Sequence, residues 1–224
     1  MKRLLLIFFF ISPSICAISQ HCTNYFLDNR KTIQLDNYNK RGDNDGFVVY
    51  KVSNVVTKGN TVTSQVNAQL FDKNKKQLSN SNNVIKCTGN VLMIDMKLFM
   101  PQQQTEQYGS SEAILKNTFL EYPAMLKTGD HLKDGSFEME VDKNGLKQIL
   151  QMDITNRTVH GTETIVTSAG KWECFLIRYA LKLTLQTGPI AIPLSMQITE
   201  WYAPSFGIIK TANGTNSTII SSGK

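Results

Sequence analysis

The chain has 224 residues, 41% of them hydrophobic, with four cysteines and a formal net charge of +6. That length suits one large domain with a sizeable core. The cations are scattered over turns such as Lys73 to Lys76 rather than gathered into a basic stripe interleaved with aromatics, which argues against a nucleic-acid partner. His21, His131 and His160 are dispersed and no CxxC pair occurs, so neither a metal nor a cofactor is expected.

At the N-terminus, Lys2 and Arg3 precede the apolar run Leu4 to Ile11, and Pro13 and the small residues Ala17 and Ser19 follow. This is the pattern of a secretory signal peptide. It is expected to span residues 1–19, leaving 20–224 as a single β-rich domain, periplasmic or secreted, whose formal charge falls from +6 to +4 as Lys2 and Arg3 are removed. The apolar run is far short of the roughly 20 residues that span a bilayer, and no later segment is apolar for long enough, so no transmembrane segment is expected after cleavage. Cys16 offers an alternative lipoprotein signal, against which Ile15 stands where a small residue is preferred. In an oxidising compartment the remaining Cys22, Cys87 and Cys174 make one disulfide plus one free thiol. Cys22 with Cys87 is the favoured pair, because Cys174 lies in an apolar strand where a free cysteine packs as a small hydrophobe; the spacing alone does not fix the pairing.

The mature chain reads as strands separated by turn clusters. Thr32 to Tyr38 ends at Arg41-Gly42-Asp43-Asn44-Asp45-Gly46, whose residues favour turns; the embedded Arg-Gly-Asp is read as part of that turn. Phe47 to Thr57 follows, with Val48, Tyr50 and Val52 on one face. Thr61 to Phe71 alternates Val62, Val66, Ala68 and Leu70 with polar residues, the mark of a half-buried strand. Gln77 to Cys87 and Val91 to Met96 continue by short turns, which implies antiparallel hairpins. Lys97 to Ser111 breaks the pattern around Pro101, as a short helix or an ordered loop across one end of the sheet. Ile114 to Tyr122, Phe137 to Val141, Leu146 to Thr158 and, after Gly161, Thr162 to Thr167 are the next strands.

The stretch Lys171 to Leu185 is expected at the centre. Phe175, Ile177, Tyr179, Leu181, Leu183 and Leu185 share one face by period-two alternation. Ile190 to Tyr202 opens with Pro189 and Pro193, which suit an edge or a bend, and Ile208 to Thr211 and Thr218 to Ile220 complete the set. Ten or more strands with little helical periodicity imply a mainly β fold: one large curved antiparallel sheet or an open or half barrel of meander topology. Asn156-Arg157-Thr158, Asn213-Gly214-Thr215 and Asn216-Ser217-Thr218 fit the glycosylation sequon.

The segments Thr167-Ser168-Ala169-Gly170-Lys171-Trp172-Glu173-Cys174-Phe175-Leu176-Ile177-Arg178-Tyr179 and Trp201-Tyr202-Ala203-Pro204-Ser205-Phe206-Gly207-Ile208-Ile209-Lys210 carry a resemblance. So do Cys22-Thr23-Asn24-Tyr25, Phe71-Asp72-Lys73-Asn74-Lys75, Cys87 and Ile94-Asp95-Met96. Taken in this order they resemble the TapB-like branch of domain-of-unknown-function family 3108, over nearly the whole mature chain. The resemblance implies an exported β-rich protein of Gram-negative bacteria with no established activity, and a sheet like the curved half-barrels of periplasmic lipoprotein carriers. Two departures stand out: Ser205-Phe206 replaces a small, Gly-containing turn, and Asn74 stands where glycine is common.

Two functional classes follow. In one, the concave face formed by Phe175, Ile177, Tyr179, Leu181, Leu183, Met196, Ile198 and Trp201 binds a lipid or other apolar ligand; the competing account makes the same residues ordinary core. In the other, the protein is a structural or interaction component of the cell envelope, with an envelope protein as partner. An enzyme is not expected. Cys174 with His160 or His131 would need an activating environment that its apolar neighbours deny, and Glu138 and Glu140 suit a solvated outer face.

Overall fold

Period-two alternation of apolar and polar side chains accounts for most of the secondary structure, and where it shifts phase the strands bulge. The computed structural model describes residues 24–108, 114–116, 119–143 and 145–223; the expected signal peptide and Cys22 lie outside them. Thirteen strands are present among the described residues: β1 (Thr32–Tyr38), β2 (Asn44–Lys58), β3 (Thr61–Asp72), β4 (Gln77–Thr88), β5 (Val91–Asp95), β6 (Ile114–Lys116), β7 (Phe119–Pro123), β8 (Gly135–Lys143), β9 (Leu146–Thr167), β10 (Gly170–Thr187), β11 (Ile190–Ala203), β12 (Gly207–Ala212) and β13 (Ser217–Gly223). One α-helix, α1 (Gln102–Tyr108), follows a 3₁₀ turn at Met96–Phe99.

The strands hydrogen-bond in the order β6-β8-β9-β10-β11-β12-β13-β1-β2-β3-β4-β5-β7, every pairing antiparallel. This single sheet curls into a nearly closed barrel with one unsealed seam, as expected of a mainly β, curved antiparallel chain. β10 is interior to the sheet, paired along its length with β9 and β11. The inward residues Ile33, Val66, Ile85, Phe137, Met152, Ile177 and Ile209 are almost fully buried in one continuous core.

Two expected strands are corrected. Ile114 to Tyr122 is not one strand: β6 pairs with β8 and β7 with β5, so the two halves join opposite edges of the sheet. Leu146 to Thr158 and Thr162 to Thr167 are not two strands but one, since Gly161 stays in the ladder opposite Leu176. The irregularity sits instead at two bulges, where Val159 and Gly161 pair with consecutive β10 residues and Thr155 and Thr158 flank Tyr179. Asn156 takes a left-handed φ of 58° there.

The two barrel ends are closed differently. At the end of the β9–β10 and β11–β12 turns, a 3₁₀ turn at Tyr25–Leu27 is tied down by the Tyr25 N–H donating to the Ser205 carbonyl at 3.1 Å. The Phe26 ring lies against Gly207, where an added Cβ would sit 3.2 Å from a ring carbon. Phe206 stacks on Tyr25 with ring centroids 4.5 Å apart and meets Trp172 edge-on at 5.6 Å, so this departure from a small turn supplies the aromatic clamp. The other departure has little consequence, because the left-handed position of that turn falls on Lys75 rather than Asn74. At the opposite end the Met96–Phe99 turn and α1 cross the opening, as the break around Pro101 suggested.

The seam is packed most tightly at Gly135, where a Cβ would meet Leu120 Cδ1 at 2.6 Å and Met96 Sδ at 3.1 Å, while the space at Gly161 is open. Gly135→Ala is therefore expected to lower the urea-unfolding free energy by about 1–3 kcal/mol through overpacking. Gly161→Ala is expected to stay within about 0.5 kcal/mol of the parent. Equal losses at both positions would remove the close packing of β7 on β8.

Candidate binding cavity and buried polar cluster

β10 and β11 bring four of the sequence-predicted residues to one place. Their register sets Tyr179 opposite Ile198 and Leu181 opposite Met196, and all four line a cavity of about 230 Å³ inside the barrel. Leu35, Leu70 and Ile85 form much of the facing wall, and Phe99, Met100 and Thr105 cover it from the α1 side. Its mouth lies among the β1–β2 and β12–β13 turns, with Asn37, Asn213 and Asn216 on the rim.

The other predicted residues are placed elsewhere. Ile177 and Leu183 are buried on the inward face but do not border the cavity. Phe175 shares that face, half-buried, opposite Tyr202. Trp201 departs from the expectation of a common concave face: it alternates with the inward Glu200 and Tyr202 and so points outward. There its Nε1–H donates to Glu163 Oε2 at 2.7 Å, and Lys210 Nζ sits 4.4 Å from its ring centroid.

Beneath Tyr179 lies a buried polar cluster that the sequence reading did not single out. Glu200, fully buried, follows Ile198 on the inward face of β11. Its Oε2 accepts from the Tyr122 hydroxyl at 3.0 Å and the Tyr179 hydroxyl at 3.4 Å. The Tyr122 ring, carried by β7, stacks on Tyr202 with centroids 4.6 Å apart, and the Arg157 guanidinium carbon lies over the Tyr122 ring, 4.6 Å from its centroid. Arg157 Nη1–H donates to the Glu121 carbonyl of β7 at 2.9 Å and to the Lys133 carbonyl at 2.7 Å. Arg157 reaches this position because the bulge at Asn156 reverses the inward parity of β9, from Met152 and Ile154 to Arg157 and Val159.

Removal from water raises the Glu200 carboxyl from its ordinary 4.5 to about 7, against the opposing pull of Arg157 and the two tyrosine hydroxyls. The Tyr122 and Tyr179 hydroxyls are pushed well above their usual range, by burial first and by Glu200 second. Glu200 carried one legible signal, a carboxylate in phase with Met196 and Ile198. Arg157 carried none, because its phase is set by a bulge.

The catalytic alternatives do not assemble. The Cys174 thiol is free and buried, its Sγ approaches the Trp172 carbonyl at 3.9 Å, and burial pushes its pKa to about 11, which keeps it protonated at neutral pH. His131 Nδ1 lies 3.2 Å from Thr158 Oγ1, and His160 is exposed. Glu138 and Glu140 are half-buried on the outer face, where Glu140 pairs with Lys147 at 2.8 Å. Among the described residues no three His, Cys, Asp or Glu side chains gather as a metal site, and no helix is long and apolar enough to cross a membrane.

A curled antiparallel sheet with an internal cavity and a buried ionisable cluster defines a β-barrel-like fold. The chain belongs to the DUF3108-like family, whose model matches residues 29–222. Two solved structures share the fold. A protein of Bacteroides fragilis described as exported, with a YmcC-like fold, is 19% identical with a TM-score of 0.72, covering 88% of this chain and 96% of its own. A protein of Parabacteroides distasonis described as a lipoprotein is 18% identical with a TM-score of 0.76, covering 92% and 100%. Among curated proteins none matches the chain.

The raised Glu200 pKa gives stability a pH dependence of definite sign. Between about 4.5 and about 7 the folded chain holds a proton that the unfolded chain has released, so stability is greatest below that window, declines as pH rises through it and levels off above it. The decline is expected to be about 3 kcal/mol, and Glu200→Gln should flatten it in urea titrations at a series of pH values. Arg157→Met, which removes the donor to two part-buried carbonyls and leaves the buried Glu200 carboxyl uncompensated, is expected to cost about 3 kcal/mol or more at neutral pH.

Proposed function

We propose that this is an exported, non-enzymatic protein of the cell envelope, periplasmic or secreted, that holds a lipid-like ligand, one acyl chain, inside its barrel. The carrying observation is the cavity of about 230 Å³ walled by Leu35, Leu70, Ile85, Leu181, Met196 and Ile198, with its mouth among the β1–β2 and β12–β13 turns. An apolar interior with polar groups at its limits is the usual form of such a site. Here the asparagines of the rim suit the polar end of the ligand and Tyr179 marks the depth its tail reaches. Export is supported by the signal-like N-terminus and by the descriptions of the Bacteroides and Parabacteroides proteins as exported and as a lipoprotein. The ordered motifs from Cys22 to Lys210 support placing the chain in the TapB-like branch of its family. Residues 20–224 are taken as one domain working without a cofactor.

A Cys22–Cys87 disulfide belongs to the same reading. Its support is that Cys87 is in disulfide form while Cys174 is a free, buried thiol. Alkylation of the mature protein should then label a single cysteine, and only after unfolding.

The ligand is tested by native mass spectrometry of the mature protein purified from its own envelope, followed by solvent extraction. A stoichiometric acyl species is the expected result. Ala68→Phe, at a cavity-lining position on β3, should fill the space and release that species while circular dichroism stays unchanged. A bare mass, also after incubation with total lipid extract, would overturn the ligand and leave the structural or protein-interaction component of the envelope as the function.

A further inference from the structure

β8 to β11 stand taller than the rest of the barrel at the cavity mouth. β11 pairs with β10 from Ile190 onward but with β12 only from Thr199, so Ile190 to Ile198 overhang the β12–β13 turn with one free edge. Along this overhang Ile190, Ile192 and Leu194 are 64%, 62% and 45% exposed. They are in phase with Met196 and Ile198, which line the cavity, and the register has no shift between them. The apolar face therefore runs without interruption from the hairpin tip into the interior. No ionisable side chain occurs between Lys182 and Glu200.

We infer that this overhanging hairpin docks the barrel mouth on an anionic lipid bilayer, with Ile190, Ile192 and Leu194 entering its interfacial layer. A contiguous exposed apolar patch marks an interaction surface, and two observations select lipid as its occupant. The first is charge. The β3–β4 turn at the same end presents the exposed Lys73, Lys75 and Lys76, while its one carboxylate, Asp72, accepts from the backbone N–H groups of Asn74 and Lys76. These basic side chains stand across the barrel mouth from the uncharged apolar tip, at the same end, where they suit anionic headgroups. The second is the edge itself. Pro193 within it removes a backbone donor, so it is a poorer template for strand addition by a protein partner. The surface rests on the ligand reading only for what it would deliver; an acyl chain could pass from the bilayer along the stripe to Met196 and Ile198 without crossing water.

The test is flotation of the mature protein with vesicles of phosphatidylethanolamine and phosphatidylglycerol, compared with phosphatidylcholine alone. Binding to the anionic vesicles is expected, weakened by salt and by Lys73→Glu with Lys75→Glu. The triple variant Ile190→Ser, Ile192→Ser, Leu194→Ser, at exposed positions and so folded, should bind at least about tenfold more weakly. Ile192→Trp should show a blue-shifted emission on binding that brominated lipids quench. Absence of flotation by the parent protein, or undiminished flotation of the triple variant, would overturn the inference. So would a concentration-dependent dimer that the triple variant abolishes in the absence of vesicle binding. Native mass spectrometry of the same triple variant separates the two readings: retained cargo with lost flotation locates the defect in docking, and an empty parent that still floats leaves docking intact without a cargo.

Discussion

The Arg157 guanidinium does for the seam what backbone ladders do elsewhere in the barrel. β7 and β8 face each other without pairing, and the two carbonyls that accept from Nη1–H, one on β7 and one from the segment leading into β8, are joined through a side chain instead. The Lys133–Glu121 ion pair at 2.7 Å covers the same junction from outside, where solvent limits its worth. Burying a guanidinium is costly unless its charge is met. Here the Tyr122 ring lies against it and the Glu200 carboxyl attracts it, and the stack of Tyr122 on Tyr202 carries the junction across the interior to β11.

This arrangement places the ionisable cluster between the seam and the cavity. Tyr179 belongs to both, since its ring borders the cavity and its hydroxyl donates to Glu200. Protonation of Glu200 near neutral pH therefore changes the charge directly below the cavity floor and beside the residue that closes the barrel. The interior and the closure are one electrostatic unit, which is why the substitutions that probe stability also bear on the site.

Much of the fold was legible because most strands keep strict phase. β1 and β3, with Leu35, Val66, Ala68 and Leu70 on their inward faces, match the alternating pattern almost residue for residue. The misreadings occur where phase or pairing is decided by distant contacts. Ile114 to Tyr122 is continuous in character, yet its halves pair with strands on opposite edges, a matter of closure rather than propensity. Gly161 looks like a break but occupies open space in a running ladder, whereas the real irregularity at Asn156 is a polar residue able to adopt a positive φ. The cavity residues Tyr179, Leu181, Met196 and Ile198 followed from period two, and Trp201 failed by the same rule, being odd among even. Arg157 was out of reach because only the bulge turns it inward.

Because β6 and β7 are separated by two residues yet belong to opposite edges, the circumference of the barrel is set by a short covalent link and not by a closed hydrogen-bond circuit. A barrel closed by ladders can change girth only by gaining or losing strands or altering its shear. One closed by a link can be let out or taken in by a few residues inserted or deleted between Lys116 and Phe119, with every other register left as it is. Girth, and with it the bulk of cargo the interior accommodates, becomes a property that small changes in chain length at one point can tune.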